Sequence, residues 1–305
     1  MNRFRRPMLV IVVALAAFSR SVATEHASWT LDVSLSTSSS AGVMGEYVYS
    51  EDRVVSYLDW QLVPLITLGA GIEGSAPWGT RLGARAALPL GRTSGVVTNS
   101  DYEDRNEPAH RTRVSYHTAN IDTYRDLDSW LTQPLVSGRA GFVAIGIGYR
   151  DRFVRMTAQD GTYDYGATAG EVTGVPITYE QHHRFAYAVL LAESVGKLRL
   201  TASVSFAPYV FVDALDHHHR RLLDFHDTIR EARWLSAEIG ASFELAGQTI
   251  EIAGLGELMP ETRGDTHTVD YTGDSFVGTT SATSTDGAGV SWWQAGLRVS
   301  LPYGW

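Results

Sequence analysis

The feature that narrows the fold most is a rhythm: short runs of alternating apolar and polar residues, separated by breaks of two lengths. In the first run Trp29, Leu31 and Val33 fall on one side and Thr30, Asp32 and Ser34 on the other, the period of two that a half-buried strand requires. Further runs follow at 54–68, 80–102, 114–130, 138–156, 177–191, 198–216, 234–243, 250–259 and 290–305. Ser75-Ala76-Pro77, Thr132-Gln133-Pro134, Ser194 to Lys197 and Ala246-Gly247-Gln248 mark tight turns. Stretches 103–112, 157–175, 217–228 and 261–287 read as long polar loops. An even number of runs, with long loops at one end and short turns at the other, predicts an all-β, antiparallel ten-stranded outer-membrane β-barrel with long extracellular loops. The 29 Gly, 14 Tyr and 8 Trp favour that over a water-soluble sandwich or barrel, which shares the alternation and stays open as the alternative. Pro302 makes the last residues of the closing run an imperfect strand, because proline cannot donate to a ladder.

The first residues set the destination. Arg3, Arg5 and Arg6 precede an apolar stretch from Met8 to Phe18, and Ser21-Val22-Ala23 is a small-x-small site. The expected organisation is therefore a secretory signal peptide over 1–23 and one transmembrane barrel domain over 24–305. The apolar stretch has about half the roughly 20 residues that a membrane helix needs. With no cysteine there is no disulfide framework, and a net charge of −9 argues against nucleic acid as a partner.

Chemistry concentrates where the 198–216 run ends. Asp216 and His218 are two apart and project from one face of a strand. A carboxylate beside an imidazole fixes the ring's tautomer and raises its basicity, a general-base arrangement. If both termini lie on the short-turn side, Asp216, His218, Asp101 and Glu46 share the outer rim, although far apart in sequence.

Several stretches resemble the omptin family of outer-membrane endopeptidases, ten-stranded barrels. They are Glu46-Tyr47-Val48-Tyr49, Val55 to Trp60, Ser100-Asp101-Tyr102, Gly148-Tyr149, Asp160-Gly161-Thr162-Tyr163, Asp216-His217-His218, Gly287 to Val290 and Ala295 to Arg298. They fall in family order across nearly the whole mature chain. The resemblance implies an Asp-His couple on one wall, an Asp-x-Asp pair on the facing wall, and an attacking water between them. Asp216 and His218 fall on the couple, Asp101 on the second facing acid, and Asn99 on the first. An amide can hydrogen-bond a water but cannot share a proton as two close carboxylates can, so an impaired or His218-dependent enzyme is expected. A shifted register pairing Asp101 with Glu103 is the weaker alternative.

The family's preference for basic residues implies substrate binding by Glu46. The pocket's second acid falls on Ala214, with Asp213 one place away, and the acid beyond the scissile bond falls near Arg113. Lipopolysaccharide contact is implied at Tyr149 and Asp151, while Phe153 and His182 stand where arginines are expected, with Arg152 and Arg155 beside them.

Other features have plainer readings. His217, His219 and His226 invite zinc, but His217 and His219 face away from His218 on a strand and a solvated loop is the simpler account. Asp122, Asp126 and Asp128 suggest calcium, and lumen-facing acids explain them as well. No metal or organic cofactor is expected, with lipopolysaccharide or another outer-membrane lipid as the one auxiliary group. The expected partners are peptide or protein substrates, host proteins among them, met at the cell surface by a monomer. The competing reading is an adhesin or host-protein binder on the same fold, with a plain porin third.

Overall fold

The structure is a computed structural model that describes residues 29–271 and 278–304. The expected signal segment lies outside the described residues. The elements are β1 (Thr30–Ser50), β2 (Arg53–Ser75), β3 (Arg81–Pro89), β4 (Thr93–Asp101), β5 (Arg113–Gly138), β6 (Gly141–Asp164) and β7 (Ala169–Val172). They continue as β8 (Ile177–Ser194), β9 (Arg199–His218), β10 (Leu223–Leu245), β11 (Gln248–Asp270), β12 (Gly278–Ala282) and β13 (Ala288–Gly304). All pairings are antiparallel, and β1 pairs with β13 from Asp32↔Gly304 to Val48↔Ala288, closing the sheet on itself. β3 and β4 each lie between β2 and β5, so they form one interrupted stave. That gives a ten-stave ring, with β7 and β12 as short additions on β6 and β11. Pro302 keeps its place in the register opposite Ser34.

The staves are longer than the alternation suggests, and the expected loops shrink. β11 continues to Asp270, β6 to Asp164, and the 217–228 loop reduces to a tight reversal in which His218 pairs with Leu223. The cause is solvent. Above the bilayer a strand's outward face meets water, so polar residues sit on both faces and the period of two disappears while the ladder persists.

Outward-facing large apolar residues form a belt nearer the short turns: Leu31 and Leu35 on β1, Leu68 and Ile72 on β2, Val204 and Phe206 on β9, Leu297 and Val299 on β13. This belt is the membrane-spanning zone, and the outer parts of the staves stand above it. No helix among the described residues is long and apolar enough to cross a membrane, and here strands do the crossing.

Inside, a packed layer that includes Met44, Trp60, Ile121, Met156, Tyr179 and Trp292 fills the lumen below the outer rim. Under it lies a charged cluster of Asp126, Arg150, Arg152 and Glu257. A polar cavity of about 1010 Å³ occupies the short-turn end. The packed layer separates the outer cleft from this cavity, which is not the open channel of a porin.

Candidate active site

β9 delivers Asp216 and His218 as its last lumen-facing positions. The chain reverses immediately afterwards, with Leu222 at φ +52° and the Arg221 N–H donating to the His218 carbonyl. His218 Nε2 lies 2.6 Å from Asp216 Oδ2, and the Phe225 ring packs edge-on against the imidazole at 5.4 Å between centroids. The carboxylate and the aromatic edge together hold the ring in one orientation. The couple stands above the apolar belt, which on β9 ends at Phe211.

Burial drives both partners towards their neutral forms, because a desolvated charge is costly. It lowers His218 to about 4 and pushes Asp216 up to about 8. The imidazole is therefore neutral near pH 7. When Asp216 is ionised, Nε2–H donates to it and Nδ1 keeps the lone pair that a general base needs.

The facing wall is built by β2 and β4. Ser56 Oγ donates to Asp101 Oδ1 at 2.7 Å and lies 3.2 Å from Asn99 Oδ1. Burial raises the Asp101 carboxyl, the Ser56 hydroxyl bond opposes this, and Glu103 adds to it. Asp101 is close enough for its charge to act on His218. Asp101 and Asn99 thus share one wall and Asp216 and His218 the other, the placement that the family resemblance implied. The Asp101–Glu103 alternative fails: β4 ends at Asp101, and Glu103 is an exposed partner of Arg113 at 2.9 Å.

Glu46 differs from expectation. Rather than standing at the open rim, it is 2% exposed. It accepts from Trp60 Nε1 at 3.3 Å, and its carboxyl lies within electrostatic reach of Asp216. β1 runs on to Ser50, so position 46 lies below the top of the wall. Asp216 Oδ1 has no hydrogen-bond partner among the described residues. Burial first, and then the charges of Asp216 and Asp227, raise Glu46 well above the ordinary carboxylate range. Burial thus drives Glu46 and Asp216 alike towards the protonated form.

Sequence reasoning missed Asp227, because the residue fell in an expected loop. It lies on β10, 3% exposed, directly opposite Ala214 on β9. Thr266 Oγ1 donates to it at 2.7 Å. Burial pushes it up to about 7, against the Thr266 bond. The hairpin register was the signal: once His218 opposes Leu223, Asp227 opposes Ala214 on the lumen face.

The other candidates lie outside the cleft. Asp213 is ion-paired with Arg184 on the outer wall, and Arg113 pairs with Glu103. Tyr149 is outward-facing, and Asp151 accepts from His182 Nε2 at 3.1 Å. Arg125 stacks over Phe153 at 5.4 Å beside them. His217 bonds to Asp224 and His219 to Thr178, so neither joins His218. Asp122 does not share a face with Asp126 and Asp128, since a bulge between Ile121 and Thr123 breaks the parity. It bonds Thr157, while Asp126 and Asp128 face lumen arginines.

The comparisons agree with this geometry. The omptin family model matches residues 27–305. The plasminogen activator of Yersinia pestis is 26% identical over 272 residues, covering 85% of this chain and 84% of that protein. The crystal structure of the outer membrane protease OmpT from Escherichia coli superposes with a TM-score of 0.83 at 18% identity, covering 93% of this chain and 100% of that one. The chain belongs to the omptin family, as an outer-membrane protease barrel whose cleft opens to the extracellular side.

Proposed function

We propose that this barrel is a cell-surface endopeptidase in which water attacks the peptide carbonyl between the Asp216–His218 couple and Asp101. The observation that carries the reading is an imidazole bonded to Asp216, kept neutral by burial and within electrostatic reach of Asp101 on the facing wall. His218 Nδ1 takes a proton from the water as the oxygen–carbon bond forms, and returns it to the amide nitrogen as the carbon–nitrogen bond breaks. Asp216 holds the ring and offsets the imidazolium charge. Asp101 orients the water and Asn99 adds a neutral hydrogen bond. The Ser56 hydroxyl keeps the two side chains in place.

Preference for a basic side chain before the scissile bond fits the acids behind the couple. Glu46 supplies one carboxyl, and Asp227 supplies from β10 the acid that β9 lacks at Ala214. A guanidinium or ammonium entering there favours ionisation of these acids, whose protons leave to solvent, and receives charge-assisted bonds. Plasminogen is a candidate protein substrate by analogy with the relative named for activating it. On the outer wall Tyr149, Asp151, Arg125 and His182 form a polar edge above the belt suited to a lipid headgroup, with lipopolysaccharide the expected ligand.

Asn99 favours one competing reading, a disarmed barrel kept for binding host protein. Cleavage of a quenched peptide library by refolded protein separates the two. Activity that drops by roughly 10³-fold or more in His218→Ala supports the protease. Activity that appears only in Asn99→Asp supports the binder.

A further inference from the structure

The Asn99 wall carries a second imidazole. β5 and β6 slip register between Tyr116 and Thr118, which makes Asp160 and Gly161 on β6 a bulge facing the single residue His117. Opposite it Asp160 holds φ +48° and Gly161 φ +140°. A Cβ at Gly161 would sit 2.0 Å from the Tyr116 carbonyl oxygen and 2.7 Å from His117 Nδ1, so only glycine lets the strands approach this closely. Bulges of this kind re-aim side chains beside functional sites.

The result is an ordered line. His117 Nδ1 lies 2.6 Å from the Asp160 carbonyl oxygen, and Nε2 lies 3.0 Å from Ser115 Oγ. A carbonyl only accepts, so Nδ1 carries the hydrogen and Nε2 is bare. Ser115 must then donate to Nε2, which leaves its oxygen as an acceptor only. Ser115 and His117 are 4% and 5% exposed, and Ser115 is the cross-strand partner of Asn99. Directly opposed residues on one face have Cβ atoms about 5 Å apart.

We propose that Ser115 and His117 are the proton acceptor of the Asn99 wall, performing through a hydroxyl what a second carboxylate would do there. The inference rests on the endopeptidase reading. Hydrolysis puts the water oxygen, with its second hydrogen, on the new carboxyl group. As that O–H bond breaks, Ser115 Oγ takes the proton and passes its own to His117 Nε2. The imidazolium keeps its Nδ1–H bond to Asp160 and later releases the proton to solvent by the same route. His117 is thus a positioning and relay residue rather than one that touches substrate.

The surroundings suit a neutral acceptor. Burial lowers His117, and Arg220 from the β9–β10 reversal lowers it further, against the Asp160 carbonyl. The Asp160 carboxylate is turned away, accepting from the Gly174 N–H at 2.7 Å.

The test is a double-mutant cycle on the refolded barrel, with kcat and KM followed against pH for His117→Gln and Ser115→Ala, alone and with Asn99→Asp. Heat modifiability on gels checks that each variant is folded. The expected result is a fall in kcat of roughly 10²-fold for either variant with KM unchanged. The acid limb of the kcat profile should also shift. In the Asn99→Asp background the same substitutions should cost less than about threefold, because the restored acid takes over. Equal losses in both backgrounds, or no loss beside a wild type that is active and needs His218, overturn the relay and leave the endopeptidase standing. A wild type that cleaves nothing, with or without lipopolysaccharide, overturns both.

Discussion

The lower lumen and the outer cleft hold their buried acids under opposite rules. In the lower lumen the buried acids meet arginines. Glu257 lies 2.8 Å from Arg150 and 2.7 Å from Arg152, Asp126 bonds both, Glu238 lies 2.6 Å from Arg298, and Glu193 lies 2.8 Å from Arg81. In the cleft Glu46, Asp216 and Asp227 are as deeply buried, and among the described residues none forms an ion pair with lysine or arginine. Protons and hydroxyls take that place. A barrel that pairs its acids so consistently below has the means to pair them above. The difference fits the proposal that the counter-charge there is supplied from outside, by a basic substrate side chain.

The sharpest way to break this comparison is to remove one cation from the paired region. Arg152 is 1% exposed and lies over the Trp292 ring at 4.5 Å. Arg152→Met keeps the volume and leaves Asp126 and Glu257 with Arg150 alone. Stripping one partner from a buried ion network costs roughly 3–5 kcal/mol, which urea unfolding in detergent should detect. Glu46→Gln and Asp227→Asn remove acids that have no cation, and should cost far less near pH 7. Equal losses would mean that the cleft acids are paired in a way the comparison misses.

The second test concerns selectivity. In Glu46→Gln and Asp227→Asn, the ratio of kcat/KM for a peptide with Arg before the cleaved bond to one with norleucine should fall. Each lost charge-assisted bond is worth about 1.5–3 kcal/mol, or roughly 10- to 100-fold. Equal cleavage of the two peptides by wild type would remove the cation from the argument. Loss of selectivity in Glu46→Gln alone would restrict the pocket to one acid.

What could be read in advance follows the same division. Within the belt, lipid on one side and lumen on the other enforce strict alternation, so the staves and turns were legible, and the Asp216–His218 face followed from carrying the parity of β9 a few residues beyond Phe211. Above the belt water removes that asymmetry. Asp227, Ser115 and His117 therefore looked like loop or strand residues without partners. Their placement depends on register, on a hairpin that sets Asp227 opposite Ala214 and on a bulge opposite His117, and a one-residue slip inverts every face. Glu46 was legible in identity but not in depth, because the length by which a stave overshoots the membrane leaves no alternating pattern. The Arg150–Asp126–Glu257 network escaped notice for another reason: its members come from three staves, and only closure of the ring brings them together.

The smallest expected effect tests whether the cleft acids are held by protons rather than cations. Asp227 is pushed up to about 7 in the folded barrel, against about 3.9 unfolded. Between those values the folded state binds more protons than the unfolded one, so this group's contribution to stability falls as pH rises from about 4 to about 7 and is level above. The full shift corresponds to an upper limit of about 4 kcal/mol. Relaxation and water entry on ionisation reduce it to the order of 1–2 kcal/mol. His218, lowered to about 4, works in the opposite sense between about pH 4 and 6.5, where the unfolded state binds the extra proton. The informative quantity is therefore the difference between Asp227→Asn and wild type. It should be near zero at pH 4.5 and favour the variant by that amount at pH 8, read as thermal midpoints in detergent. A difference of the opposite sign, growing in favour of wild type as pH rises, would mean that Asp227 faces a cation in the folded barrel, and the contrast between the two ends of the lumen would fail.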